Sequence, residues 1–168
     1  GALNIAFWQS DIKDFIEKGN ITDVFENRDK LRFKGVDIDG GYQFTDKLTI
    51  NAGLGFLSAE DKSSDATTER LQYKASLQAI YQLTPQWQLS GDIIRIGSQN
   101  YFNRKDSAIR DKLDSFELVN TRLKYTLANQ KADFYVGVEN LLDEDYSTSY
   151  GYPQAGRFVY TGVNLRWK

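Results

Sequence analysis

Apolar and polar residues alternate one by one along most of this chain, which is the pattern of β-strands. The clearest case lies near the C-terminus, where one face of a predicted strand carries Val159, Thr161, Val163, Leu165 and Trp167. The other face of that strand is mixed in character. A strand that ends a chain in this way predicts a sheet whose last edge needs a partner.

The same alternation predicts eight strands in all. They run approximately over residues 3–16, 31–44, 48–56, 71–83, 87–93, 119–127, 134–138 and 158–167. Short turns are predicted at 45–47, 84–86 and 128–131, and long polar loops at 17–30, 58–69, 97–114 and 140–157. Because long and short connections alternate, all long loops fall at one end of the predicted sheet and all short turns at the other.

This sorting of the connections favours an outer-membrane barrel, which has short periplasmic turns and long extracellular loops. Several predicted strands also exceed the roughly five or six residues usual in globular proteins and reach the roughly nine to eleven of membrane strands. The fold class predicted is therefore all-β, an antiparallel up-and-down transmembrane β-barrel segment of about eight strands. Aromatic residues collect beside the short turns, where an interfacial girdle is expected: Tyr42, Phe44, Tyr81, Trp87, Tyr125 and Trp167.

Charged residues occupy the second face of the predicted strands, which a dry protein core would not tolerate. A water-filled or plugged barrel interior would accept them. A soluble two-sheet sandwich with the charges on its solvated side is an alternative that satisfies the same alternation. The residues expected to face a lumen or plug are Asp37, Asp39, Asp92, Arg122, Lys124, Glu139 and Arg166.

Composition removes several classes of function. The chain of 168 residues contains neither Cys nor His, so it has no disulfide, no thiolate and none of the commonest metal ligands and general bases. The net charge of −2 argues against a nucleic-acid partner. No apolar run reaches the roughly eighteen residues of a transmembrane helix. The mean hydropathy of −0.54 is nevertheless compatible with membrane strands, in which only alternate residues face lipid.

Acidic clusters in the sequence do not predict catalysis or metal binding. The segment 37–41 (DIDGG) lacks the later Glu of a calcium loop. The acidic residues at 60–61 and 143–145 lie in polar loops with no apolar pocket to raise a carboxyl pKa. We therefore expect no catalytic residue, no cofactor, no metal and no enzymatic activity.

Two long loops carry better candidates for ligand contact. Aromatic rings interspersed with Arg suit aromatic, anionic or sugar-like ligands at a barrel mouth. Alternatively, these residues pack the loops together or ring the membrane interface. The candidates are Tyr101, Phe102, Asn103 and Arg104 in one loop, and Tyr146, Tyr150, Tyr152 and Arg157 in or beside the other.

The segment VENLLDEDY, the later YPQAGR and the terminal alternating strand resemble the C-terminal signature of TonB-dependent outer-membrane receptors. In that family an Asn-Leu-hydrophobic-Asp motif leads to a Tyr, and a Gly-Arg pair opens the last strand. Segments 6–16 (AFWQSDIKDFI) and 34–37 (KGVD) also resemble strands of the family. The matching signature positions are Asn140, Leu141, Leu142, Asp143, Tyr146, Gly156 and Arg157.

This resemblance implies a receptor in the bacterial outer membrane with a barrel of about 22 strands and an N-terminal plug domain. Such receptors import scarce nutrients, such as iron–siderophore complexes, cobalamin or oligosaccharides, with energy from the inner-membrane TonB complex. Residues 1–168 match the last eight strands, so we expect a C-terminal portion of the barrel without the plug. Expected partners are outer-membrane lipid, the plug and remaining strands, the TonB complex acting through the plug, and a small-molecule substrate. Because family members end on an aromatic residue, we expect one after Lys168.

A self-contained eight-stranded outer-membrane barrel, acting as an adhesin or structural anchor, is the alternative within the membrane class. It requires the first strand, 3–16, to pair with the terminal strand. A portion of a larger barrel leaves both of these edges open.

Overall fold

A computed structural model describes residues 1–18, 24–61, 68–102, 110–149 and 151–167. The regular structure in these ranges consists of β-strands, which confirms the all-β prediction. The strands are β1 (Ala2–Lys18), β2 (Phe25–Gln43), β3 (Leu48–Asp61), β4 (Thr68–Gln82), β5 (Trp87–Ile96), β6 (Gln99–Phe102), β7 (Arg110–Leu113), β8 (Phe116–Thr126), β9 (Ala132–Glu139), β10 (Ser147–Ser149), β11 (Tyr152–Pro153) and β12 (Phe158–Leu165).

Eight of these strands form one antiparallel sheet in the order β1-β2-β3-β4-β5-β8-β9-β12. The remaining four pair as two small hairpins, β6–β7 and β10–β11, within the last two long connections. Neighbours in the large sheet therefore follow one another along the chain, which is the predicted up-and-down order. β1 and β12 lie at opposite edges, and in the described ranges they do not pair with each other.

Hydroxyl side chains close the first two short turns. The Thr45 hydroxyl accepts hydrogen bonds from the backbone N–H groups of Lys47 and Leu48 at 3.2 and 3.0 Å. The Thr84 hydroxyl accepts in the same way from Trp87 at 3.1 Å. Such side-chain bonds take the place of backbone bonds in a tight reversal. The turns predicted at 45–47 and 84–86 are thus confirmed.

The first two long loops are shorter than the sequence predicted. β1 and β2 continue their pairing to Lys18 and Phe25, inside the predicted loop 17–30. β3 and β4 likewise pair out to Asp61 and Thr68, inside the predicted loop 58–69. A ladder with water on both faces needs backbone hydrogen bonds but no apolar alternation. Periodicity therefore misses such polar strand ends.

Strand register gathers apolar residues on one face of the sheet. Leu54 lies opposite Ile38 and Ala75, and Leu77 lies opposite Ala52. We call the face that contains Leu54 and Leu77 the apolar face, and the opposite one the polar face. On the apolar face, Leu54 is 46% exposed and Leu77 is 48% exposed.

The sheet lacks the apolar interior of a water-soluble protein. Within the described ranges, Ala132 is the one hydrophobic residue that is buried. Among themselves, the strands of the large sheet contact only their neighbours in the order, and β4 also contacts the short hairpin strand β6. No second large sheet therefore covers the apolar face in this part of the chain. This arrangement contradicts the soluble two-sheet sandwich. The apolar face instead needs lipid to remove it from water.

Aromatic residues border the apolar face at one end, and charged residues border it at the other. Near the short turns, the ring centroids of Trp87 and Tyr125 lie 4.8 Å apart, as an interfacial girdle requires. Toward the long loops, the face becomes polar at Arg95, which donates to the Tyr73 hydroxyl at 3.1 Å and to the Glu117 carboxylate at 3.4 Å. No helix in the described residues is long and apolar enough to cross a membrane.

Candidate functional site

A row of polar side chains crosses the polar face of the sheet. Asn51, Gln78, Asp92 and Asn120 lie opposite one another on β3, β4, β5 and β8. The Asn51 amide donates to the Gln78 side-chain oxygen at 3.0 Å, and the Asn120 amide donates to the Asp92 carboxylate at 2.8 Å. Half-buried polar groups are thus satisfied by one another along the row.

Charged side chains of both signs lie on the polar face. The register puts Asp37 and Asp39 on β2, and Arg122 and Lys124 on β8, all on the same face as the polar row. Glu139 and Asp92 share this face, so six of the seven residues predicted to point away from the apolar side lie together on it. Arg166, the seventh, follows β12, and its guanidinium donates to the Asp133 carboxylate and to the Gln130 carbonyl. The polar face therefore carries acidic side chains on β2, β5 and β9 and basic side chains on β4 and β8.

Aromatic rings hold two members of this charged set. The Trp8 indole N–H donates to the Asp37 carboxylate at 2.8 Å. The Arg122 guanidinium lies 4.1 Å from the centroid of the Tyr135 ring, in a cation–π contact. Its Nε is buried and has no hydrogen-bond partner within the described residues. Arg122 is thus fixed in place with donor capacity unused.

Glycines on the polar face make room for large rings on the next strand. Tyr160 of β12 lies across Gly137 of β9, and Tyr135 of β9 lies across Gly162 of β12. A Cβ at either glycine would collide with the ring that covers it. The two reciprocal pairs give β9 and β12 a packed surface without an apolar layer.

The motif at 140–157 forms a compact hydrogen-bonded unit. The Asn140 side chain donates to the Glu144 carbonyl at 2.9 Å and accepts from the Glu144 N–H at 2.8 Å. The Asp143 carboxylate accepts the Arg157 N–H at 2.7 Å. A Cβ at Gly156 would lie 2.7 Å from the Asp143 carboxylate oxygen, so only glycine allows this approach. We call these five residues the loop clasp.

Backbone conformation explains the residue types of the loop clasp. Asn140 and Asp143 have φ values of 50° and 59°, in the left-handed region that Asn and Asp tolerate better than most residues. Asn140 is only 4% exposed, and its N–H donates to the Asn120 side-chain oxygen at 2.9 Å. The next residue, Leu141, donates its N–H to the Val119 carbonyl at 2.8 Å. The loop clasp is therefore anchored directly on β8, while the Leu142 side chain stays exposed.

A cleft opens between the last two long connections. It has a volume of about 540 Å³ and lies between segment 112–116 on one side and segments 144–147 and 153–154 on the other. The rings of Phe116 and Tyr146, 4.5 Å apart between centroids, contact each other across it. Lys112, Asp114 and Glu144 are among its charged lining residues. We call this space the loop cleft.

The predicted ligand-contacting residues have different outcomes. Tyr146 lines the loop cleft, and Tyr152 lies in β11 with its ring 65% exposed. Tyr101 and Phe102 belong to β6, and for these two residues the backbone alone is described. Asn103, Arg104 and Tyr150 lie outside the described residues. Within the described ranges, no group of three or more His, Cys, Asp or Glu side chains could hold a metal ion.

A family model for TonB dependent receptor-like β-barrels matches residues 1–141 of this chain. The chain belongs to the TonB-dependent receptor β-barrel family. It is thus part of an outer-membrane protein, as predicted. A transmembrane barrel wall has an apolar side toward lipid and a polar side toward its interior, and the apolar and polar faces of this sheet fit that arrangement.

Solved structures of this fold come from larger receptors. A ferric enterobactin receptor from Pseudomonas aeruginosa superposes with a TM-score of 0.78 at 18% identity, over 96% of this chain and 28% of that one. The ferric-catecholate import receptor Fiu from E. coli gives 0.69 at 23% identity, over 97% and 25%. The copper transporter OprC gives 0.73 at 20% identity, over 96% and 28%. The chain thus spans between a quarter and a third of the length of these receptors.

The open sheet bears on the self-contained eight-stranded barrel. A self-contained eight-stranded barrel requires β1 to pair with β12, and these strands lie at opposite edges without pairing in the described ranges. A section of a larger TonB-dependent receptor barrel has two such open edges. The structure therefore contradicts the closed eight-stranded alternative.

Sequence reasoning missed several residues that organise the interior wall. Asn120 was not singled out, although it joins Asp92 to the loop clasp. The Tyr160–Gly137 and Tyr135–Gly162 pairs were also missed, because a long loop separates their strands and leaves the register open. A glycine on one predicted strand with a tyrosine on the neighbouring strand was the available signal.

Proposed function

We propose that residues 1–168 are the C-terminal part of the barrel of an active-transport receptor, which imports a scarce nutrient with TonB-coupled energy. The supporting observation is the position of the loop cleft, at the long-loop end of a wall with one lipid face and one polar face. A ligand bound there would stand at the mouth of the barrel. The polar face would then line its route inward.

For the substrate, we propose an iron–siderophore-like chelate ahead of cobalamin or an oligosaccharide. The similar structures include receptors named for ferric enterobactin, ferric catecholates and ferripyoverdine. The loop cleft is lined mainly by polar and charged groups, together with the aromatic pair Phe116 and Tyr146 and the apolar residues Leu113 and Pro153. Such a lining suits a large polar ligand that offers many hydrogen-bonding oxygens. Tyr101, Phe102, Arg104, Tyr150 and Tyr152 remain proposed contacts from the same two loops.

For the charges of the polar face, we propose contact with a plug domain or with the passing substrate. Arg122 is held by Tyr135 and forms no ion pair within the described residues, so its guanidinium can bind a carboxylate without first losing another partner. Asp39 and Glu139 are exposed on the same face. A plug with complementary charges would be held by these acidic and basic side chains. The TonB complex would act on such a plug rather than on the barrel wall.

No chemical step is assigned to this chain. The family consists of transport receptors, and the proposed work is binding and passage of a ligand. The energy for passage would come from the inner membrane.

Uptake by cells tests this proposal. Cells that produce the full-length protein should accumulate radiolabelled iron from a ferric siderophore, and cells without the gene should not. A protonophore that collapses the inner-membrane proton gradient should stop accumulation while surface binding persists. The control is a producing strain that lacks TonB, in which binding should persist without uptake.

Three results would contradict the proposal. Uptake that is unaffected by the protonophore and by loss of TonB would remove the coupled mechanism. Cell adhesion that depends on the protein, without uptake of any chelate, cobalamin or oligosaccharide, would favour an anchoring role. Binding of cobalamin or an oligosaccharide with no binding of ferric chelates would change the substrate while leaving the transport function intact.

A further inference from the structure

Asn120 joins the interior wall to the loops through both ends of one side-chain amide. Its Nδ2 donates to the Asp92 carboxylate at 2.8 Å on the polar face. Its Oδ1 accepts the N–H of Asn140 at 2.9 Å, at the base of the last long loop. A single half-buried side chain therefore connects a charge of the interior to the loop clasp.

The connection continues from Asn140 to the loop cleft. Asn140 bonds to both the N–H and the carbonyl of Glu144, at 2.8 and 2.9 Å. Glu144 lines the loop cleft, and the two residues that follow it line the same side. The position of this side of the cleft is therefore set by Asn140.

The last long loop depends on Asn120 to keep its present conformation. Asn140 is 4% exposed and has a φ of 50°, so its N–H cannot easily find water in the present conformation. A buried N–H without an acceptor is costly. Loss of the Asn120 oxygen would favour a shifted loop in which this N–H is hydrated, and the Asn140–Glu144 bonds would move with it.

We propose that Asn120 and Asn140 are positioning residues that set the shape of the loop cleft and transmit to it a change at Asp92. An interior group that takes the Asp92 carboxylate as its own partner would release the Asn120 amide. The amide would then rotate or shift, and the acceptor for Asn140 would be displaced. The structural part of this proposal is independent of the ligand, whereas its effect on binding rests on the proposed transport function.

Distances between the two sides of the loop cleft test the structural part. Spin labels on Asp114→Cys and Ser149→Cys would report the separation, and residues 1–168 contain no cysteine that would compete for label. The full-length protein in outer-membrane vesicles is measured by pulsed electron–electron resonance. Asn120→Ala should broaden the distance distribution or add a second population. Asn120→Asp keeps an acceptor for Asn140 but loses the donor to Asp92 and puts a second carboxylate beside it, so it should broaden the distribution at least as much as Asp92→Ala.

Two further variants distinguish transmission from Asp92 to the loop cleft from a nonspecific loss of local structure. Asp92→Ala removes the interior partner of Asn120 and should broaden the distribution although Asp92 does not touch the loop. Gln78→Ala lies in the same polar row, bonds to Asn51 rather than to Asn120, and should leave the distribution unchanged. Gel migration before and after heating checks that each variant is assembled. If Asn120→Ala does not assemble, Asn120→Asp and Asp92→Ala decide the outcome.

Unchanged distances in Asn120→Ala would overturn the positioning role. An unchanged distribution in Asp92→Ala, or equal broadening in Gln78→Ala, would overturn the transmission. Binding of ferric enterobactin is the second readout, and Asn120→Ala should weaken it roughly tenfold. If the parent protein does not bind this probe, the proposed substrate fails while the distance measurement still decides the positioning role.

Discussion

Tyr160 lies across Gly137 on the polar face, directly opposite it in the register of β9 and β12. The ring occupies the space in which any other residue would carry its Cβ. Tyr135 and Gly162 repeat the arrangement in the opposite direction between the same two strands. Packing between side chain and backbone thus takes the place of an apolar core on this side of the wall.

Replacing Gly137 with alanine should displace the Tyr160 ring. Crowding of this kind typically costs about 1–3 kcal/mol, so Gly137→Ala should lower the free energy of unfolding by that amount. Gly91→Ala is the matched control, because a Cβ there would meet the Asn120 carbonyl at an ordinary 3.5 Å. Urea unfolding of the full-length protein in lipid vesicles measures both variants. Equal stabilities for the two would show that the Tyr160 ring is not held against Gly137.

Adjacent residues of β4 should respond oppositely to a charge. Leu77 is on the lipid-facing side, and an arginine near the bilayer midplane costs about 2–4 kcal/mol. Leu77→Arg should therefore reduce the assembled fraction in the outer membrane. Gln78→Arg, one position along and on the polar face near Asp92, should assemble nearly as well as the parent. Normal assembly of Leu77→Arg together with poor assembly of Gln78→Arg would show that the two faces are assigned wrongly.

Removing the Asp143 carboxylate should loosen the loop clasp. Asp143→Ala leaves the Arg157 N–H without its acceptor, a loss of about 0.5–1.5 kcal/mol for one hydrogen bond. Segment 140–157 should then be cut faster by an external protease on intact cells. Asp143→Asn keeps an oxygen that can accept the bond and should show a smaller increase. If both variants are cut at the parent rate, the Asp143–Arg157 bond does not hold the loop.

The sequence predicted those features that depend on neighbouring positions. Leu54 and Leu77 were assigned to one face because alternation alone decides it, and the turn after Gln82 was predicted from Thr84 and Pro85. The pairing of Lys18 with Phe25 was missed because strand ends with water on both faces show no alternation of apolar and polar residues. The bond between Asn140 and Asn120 could not be predicted, since it depends on the register of strands and on a positive φ. The motif residues were recognised from the sequence, but their role as a loop clasp depends on contacts among residues 140–144 and 156–157 that form only in the folded chain.

The central claim, a barrel wall with one lipid face and one polar interior face, is tested most directly by a cysteine scan along β4. Single cysteines at positions 74–81, spin-labelled in the membrane, are compared for collision with oxygen and with a water-soluble nickel complex. Labels at Ala75, Leu77 and Ala79 should favour oxygen, as lipid exposure requires, and labels at Lys74, Ser76 and Gln78 should favour nickel. Access of the nickel complex to Leu77 and Ala79, or the absence of a two-residue period, would contradict the account.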